Sequence, residues 1–152
     1  MNDPMNQSNR NKRRLESYDY TAKGAYFVTI CTSGKQNTLC SIPTPTFPDD
    51  VPVCKLTPLG GIVENAICGI PGIDKYVIMP NHVHMILFLE GGKSLQTIIR
   101  LWKSVIAGKT KKNGIWQESF YDHVIRDEND FLIKWKYIDD NPAKWASDKE
   151  LQ

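Results

Sequence analysis

The feature that most constrains the fold of this chain is a pair of strand-like runs, residues 73–79 and 82–89, joined across Pro80-Asn81. Both runs are dense in β-branched and aliphatic residues, and a Pro-Asn junction suits a tight turn. A hairpin so strongly patterned calls for an antiparallel sheet. Its second arm alternates, with Val83, Met85 and Leu87 on one side and His82 and His84 on the other. Side chains two apart on a strand project together, about 7 Å apart along it. One side is therefore core material, and the other presents two imidazoles.

The remaining elements follow from local signals. Residues 25–31 are rich in aromatic and β-branched types and predict a first strand. Residues 33–52 hold four prolines with Gly34 and Asp49-Asp50, so 33–55 is expected to be an irregular insertion. A helix is expected over 58–68, with Thr57 as cap, Pro58 in the first turn and Leu59, Ile62, Val63, Ala66 and Ile67 at helical spacing. Gly60-Gly61 weakens it and Gly69 ends it. Ser94 caps a second helix whose Leu95, Ile98, Ile99, Trp102 and Ile106 share a side, with an end near Gly108. Residues 116–126 read as extended, with a short strand at 123–125. Asp127 and Asp130 open a last helix that runs to about Asp140 and stops at Asn141-Pro142. Strands joined by hairpins, with segregated helices, predict an α+β sandwich: an antiparallel sheet with the helices packed on one face.

Length and composition limit the function classes. The chain has 152 residues, 41% hydrophobic and 24% charged, which fits one ordered domain, expected over 18–146. Residues 1–17 are expected to be a disordered basic segment and 147–152 a short tail. No GxGxxG or GxxxxGK[ST] is present to cradle phosphates. No apolar run approaches the ~20 residues of a membrane helix, so a cytoplasmic protein is expected. Four cysteines (Cys31, Cys40, Cys54 and Cys68) form no CxxC pair and read as reduced thiols, Cys31 and Cys68 in the core. Net charge is only +2, but residues 93–112 carry six Lys or Arg and no acid. Such a stretch is either a solvated helix face or a phosphate-facing surface.

Three places could carry chemistry. His82 and His84 can converge on one divalent cation or simply form a hydrogen-bonded surface pair. On the last helix, Phe131, Trp135 and Ile138 fall within about 60° of one another at 100° per residue and are expected to form its core stripe, while Tyr137 lies about 120° from Phe131, outside that stripe. Asn141 follows Tyr137 by one turn. That places a phenol near an amide carbonyl, as a nucleophile beside a metal ligand or as a ring lying in water. In 116–126, Trp116, Phe120 and Tyr121 interleave with Gln117, His123 and Arg126, which suits base stacking or ordinary packing.

Taken in order, Tyr76 to Ile86 with its Pro80-Asn81-His82-Val83-His84, then Ile115-Trp116-Gln117 with Asp122-His123-Val124-Ile125-Arg126, then Tyr137-Ile138-Asp139-Asp140-Asn141-Pro142 resemble the REP-associated branch of the single-tyrosine HUH transposases. The resemblance runs over about 18–145. It implies a ferredoxin-like core and an enzyme that cuts and rejoins single-stranded DNA beside small hairpins through a 5′-phosphotyrosine. It implies Tyr137 as nucleophile, His82, His84 and Asn141 as ligands of Mg²⁺ or Mn²⁺, and REP-like or transposon-end palindromes as partners of a monomer or homodimer. Charge and aromaticity nominate Arg100, Lys103, Lys109, Lys111, Lys112 and Arg126 for the DNA backbone, and Trp116 and Tyr121 for stacking. Two alternatives remain open at this point: a domesticated hairpin-binding protein without turnover, and Tyr121 as the nucleophile.

Overall fold

In the computed structural model, residues 23–147 are described. The expected 1–17 segment lies outside them, as does all of the 147–152 tail except residue 147. In chain order the elements are β1 (Gly24–Cys31), β2 (Cys40–Ser41), β3 (Lys55–Leu56), α1 (Pro58–Cys68), β4 (Ile73–Ile78), β5 (His82–Leu89), α2 (Leu95–Thr110), β6 (Tyr121–Ile125) and α3 (Glu128–Ser147). The main sheet has the order β4-β5-β1-β6 with every neighbour antiparallel. β4 thus runs parallel to β1 with β5 between them, and β6 parallel to β5 with β1 between them. Two interleaved split βαβ units of this kind make a ferredoxin-like α+β sandwich.

Strand alternation divides the sheet into two faces. Tyr26, Val28 and Ile30 of β1 and Val83, Met85 and Leu87 of β5 are fully buried, and they join Val63 and Ile67 of α1 and Ile99, Trp102 and Ile106 of α2 in one core. The expectation of helices on one face holds for α1 and α2. α3 instead covers the opposite face, where its Tyr137 meets Phe27 and His84 and its Phe131 meets Phe88. The physical reason is that this second face is not polar: Ile86 is fully buried and Phe27 and Phe88 need cover.

α3 also runs past its expected stop, with Pro142 inside it. A proline in a helix interior removes one backbone bond, a penalty of about 3 kcal/mol. Burial of Asn141 and Trp145 on the next turns offsets it. The buried stripe of α3 is Ile138, Asn141 and Trp145, while Trp135, expected in the core, is 40% exposed with the Lys75 ammonium 3.4 Å from its ring centroid.

α1 matches its expected bounds, with Thr57 Oγ1 accepting from Gly60 N at 3.0 Å. Gly60 is required by packing: a Cβ there would lie 2.0 Å from the Leu39 carbonyl oxygen. α2 continues two residues beyond Gly108 and is capped by Lys111 in the left-handed region at φ 58°. Residues 33–55, expected as irregular, contain a 3₁₀ turn at Ser33–Lys35 and β2, which pairs with β3. This excursion is tied to the hairpin turn through Leu39 N to Pro80 O (3.1 Å) and Thr32 N to Asn81 O (3.0 Å). Cys68 is exposed rather than in the core, and Cys31 is half-buried; the buried thiol is Cys40. No helix among the described residues is long and apolar enough to cross a membrane.

Candidate active site

The β1–β5 register sets Thr29 opposite His84 and Cys31 opposite His82, all on the face covered by α3. The two imidazole centroids are 4.6 Å apart, at 73° between planes. Each ring is held by its Nδ1: Thr29 Oγ1 lies 2.8 Å from His84 Nδ1, and Asn81 Oδ1 lies 2.7 Å from His82 Nδ1. The amide oxygen of Asn81 can only accept, so it keeps the proton of neutral His82 on Nδ1 and the Nε2 lone pair free. His84 Nε2 is buried and makes no hydrogen bond among the described residues. A buried lone-pair donor without a protein partner, beside a second imidazole, has the chemistry of a metal ligand.

The electrostatics keep both rings neutral. Burial pushes His82 down to about 4, with the charge of Lys35 in the same direction and the Asn141 amide opposing. Burial, and then the neighbouring His82, push His84 down to about 3, again against Asn141. At neutral pH both are lone-pair donors rather than cations.

α3 completes the group. The Tyr137 ring stands edge-on to His84 at 5.3 Å and to Phe27 at 6.0 Å, and Phe27 stacks on His84 at 5.2 Å. Asn141 Nδ2 donates to the Tyr137 carbonyl, which turns its own carbonyl oxygen toward the two histidines. Trp145 closes the far side, 6.3 Å from His82 between centroids. Tyr137 is 43% exposed, so part of its side chain is open to solvent. The described residues contain no cluster of three or more His, Cys, Asp or Glu. A metal at this point would rely on two imidazoles and the Asn141 amide.

The structure brings together His82, His84, Tyr137 and Asn141 and separates them from most of the DNA-contact candidates. Arg100, Lys103, Lys109, Lys111 and Lys112 belong to α2 or its C-terminal cap, across the sheet from the histidines. Lys103 Nζ donates to Gln117 O at 2.9 Å. Trp116 packs on Trp102, with ring centroids 4.9 Å apart, against the core. Tyr121 lies on β6 opposite Thr29, on the same face as His84 but two strands away, on the order of 10 Å. Arg126 is exposed just after β6.

Residues not singled out in the sequence also line the site. Thr29 and Asn81 orient the imidazoles, Phe27 packs against both His84 and Tyr137, and Lys35, Lys134 and Lys144 stand around them. Lys134, Tyr137, Asn141 and Lys144 are spaced i−3, i, i+4 and i+7, a stripe that was legible once the helix is carried through Pro142.

Comparison with known proteins gives three findings. A protein of Haemophilus influenzae, described only as uncharacterised, is 30% identical over 172 aligned positions covering 92% of each chain. A REP-associated tyrosine transposase of Escherichia coli is 33% identical over 80 residues, 52% of this chain and 48% of that protein, so the match spans about half of the relative. A solved structure of a REP-associated tyrosine transposase bound to a REP hairpin shares the fold, with a TM-score of 0.63 and 23% identity over 86% of this chain and 74% of that one. No protein-family model matches the chain.

Proposed function

We propose that the chain is a member of the REP-associated tyrosine transposases, as its partial likeness to one such protein and its shared fold with another support, and that it cleaves and rejoins single-stranded DNA beside hairpins in a metal-dependent reaction, with Tyr137 as nucleophile. The observation that carries this reading is the convergence of the buried, unpartnered His84 Nε2 with His82 and Asn141 next to a partly exposed phenol. Tyr137 Oη attacks the phosphorus of the scissile phosphodiester; the new Tyr O–P bond forms as the P–O3′ bond breaks. The phenol proton is lost, the 3′ oxygen leaves as a hydroxyl, and the 5′ phosphate stays on the enzyme. Attack by a second 3′-hydroxyl reverses these steps and joins a new strand without ATP.

His82, His84 and Asn141 would hold the divalent ion, and two imidazoles beside one carbonyl oxygen suit Mn²⁺ better than Mg²⁺. When bound, such an ion supplies Lewis-acid polarisation of a non-bridging phosphate oxygen. Phe27, stacked on His84, and Trp145, beside His82, restrict water around the ligand nitrogens. We assign this chemistry to a single domain over 18–146, acting on DNA in the cytoplasm.

The test is a labelled single-stranded hairpin with its flanking sequence and Mn²⁺. The wild-type chain is expected to give a denaturation-resistant protein–DNA adduct that Tyr137→Phe lacks and Tyr121→Phe retains. Hairpin binding with no adduct in the wild type would instead identify a binding protein without turnover.

A further inference from the structure

The cations nearest the candidate nucleophile are not those of the acid-free α2 stretch. Lys144 Nζ lies 5.9 Å from the Tyr137 ring centroid. Lys134 Nζ lies 5.6 Å from the ring of Phe27, which itself touches His84 and Tyr137. Lys35, in the 3₁₀ turn, is joined to the site through Asn81, whose Nδ2 donates to the Lys35 carbonyl at 3.5 Å and whose Oδ1 lies 2.7 Å from His82 Nδ1. Two of the three share a face of α3 with Tyr137, separated by ten residues, or about 15 Å along the axis. The third comes from a different segment, the 3₁₀ turn held beside Asn81 at the hairpin turn.

These three cations have no ion pair among the described residues, as is also true of Arg100, Lys109, Lys111 and Lys112, and it is their place beside Phe27, Tyr137 and the histidines that sets them apart. Three of the four acids of α3 have other partners: Asp130 holds His123 at 2.7 Å, Asp139 holds Lys75 at 3.2 Å and Asp140 holds Lys136 at 2.7 Å, while Glu128 lies in the first turn, more than two turns before Tyr137. Among the described residues no carboxylate lies within ion-pair distance of Lys35, Lys134 or Lys144. Unneutralised ammonium groups on both sides of a partly exposed phenol create a positive field where a polyanion must pass. A small substrate with one phosphate does not need three cations spread over such a span, whereas a strand with a phosphate at every nucleotide does.

We propose that Lys35, Lys134 and Lys144 form a phosphate-binding rim that holds the non-scissile phosphates of a single strand on either side of Tyr137. This rests on the proposed function and deepens it by tracing the strand over α3 and the 3₁₀ turn, not along α2. The contacts are to backbone phosphates, so they are independent of base sequence.

The experiment reads salt dependence of binding and not cleavage. A fluorescein-labelled dT20 is titrated with full-length protein carrying Tyr137→Phe, by anisotropy from 25 to ~200 mM NaCl, in that background and with lysine replacements added. Each single-strand phosphate contact contributes about 0.7 to the slope of log K against log salt. Lys35→Ala, Lys134→Ala and Lys144→Ala should each flatten the slope by about 0.7 and the triple variant by about 2. Lys144→Arg should keep it, and so should Lys136→Ala, whose ammonium is already paired. Thermal melts matching the parent show that the variants fold. A triple variant with an unchanged slope, or a parent that does not bind dT20 at 25 mM salt, overturns the rim. Failure of the adduct assay overturns the proposed reaction and leaves the slope result standing.

Discussion

Thr29→Val probes the candidate metal centre with the smallest change in shape. The replacement exchanges a hydroxyl for a methyl and removes the hydrogen bond between Thr29 Oγ1 and His84 Nδ1, at 2.8 Å. Two consequences follow. A buried ring nitrogen loses its partner, which destabilises the metal-free protein by about 1–3 kcal/mol. The ring also loses the contact that anchors it at Nδ1, so Nε2 is held less firmly toward His82 and Asn141. Loss of such a supporting contact typically weakens metal binding 10–100-fold, or about 1.4–2.7 kcal/mol. The assay is titration of the full-length protein with Mn²⁺, following the electron paramagnetic resonance signal of the free ion. Thr29→Ser, which retains the hydroxyl, is expected to bind within about twofold of wild type. A folded Thr29→Val protein that binds Mn²⁺ as tightly as wild type would refute the reasoning, because His84 Nε2 would then be oriented by something other than this contact.

The metal-free protein should lose stability as pH falls through the window between the ordinary histidine value of 6.5 and the depressed values of about 4 and 3 for His82 and His84. Above this window both states carry neutral rings; within it the unfolded chain binds protons that the folded chain refuses, so unfolding is favoured. For His84 the loss at pH 4.5 is about 3 kcal/mol, and urea unfolding of His84→Gln should show a correspondingly shallower pH profile; an identical profile counts against a neutral buried ring. The adjacent glycines of α1 should respond oppositely. Gly60→Ala meets the Leu39 carbonyl and should destabilise by about 1–3 kcal/mol, whereas Gly61→Ala meets nothing within 4 Å and should stabilise by roughly 0.5–1 kcal/mol. Equal effects in denaturant melts would contradict that packing.

Local signals were strong where the chain satisfies its own backbone. Thr57, Pro58 and Gly69 bracket α1, and Ser94 starts α2, because caps and turn residues act within a few positions of themselves. The same local logic failed at Pro142, whose helix-stopping tendency is outweighed by burial of Asn141 and Trp145, contacts made with residues far away in sequence. It failed again at Trp135 and Cys68, where exposure depends on which face a neighbouring element covers.

By itself, the sequence determined the alternation that puts His82 and His84 on one side of a strand, and the one-turn spacing from Tyr137 to Asn141. Both are consequences of fixed backbone periods, 2.0 and 3.6 residues. It could not determine that these two elements face each other. That required α3 to choose the sheet face opposite α1 and α2, a choice made by Ile86, Phe27 and Phe88 needing cover. The same choice moved the acid-free α2 stretch to the far side of the sheet and put Lys134 and Lys144 beside Tyr137 instead. Charge clustering along a chain is a one-dimensional signal; which charges share a site is decided by packing.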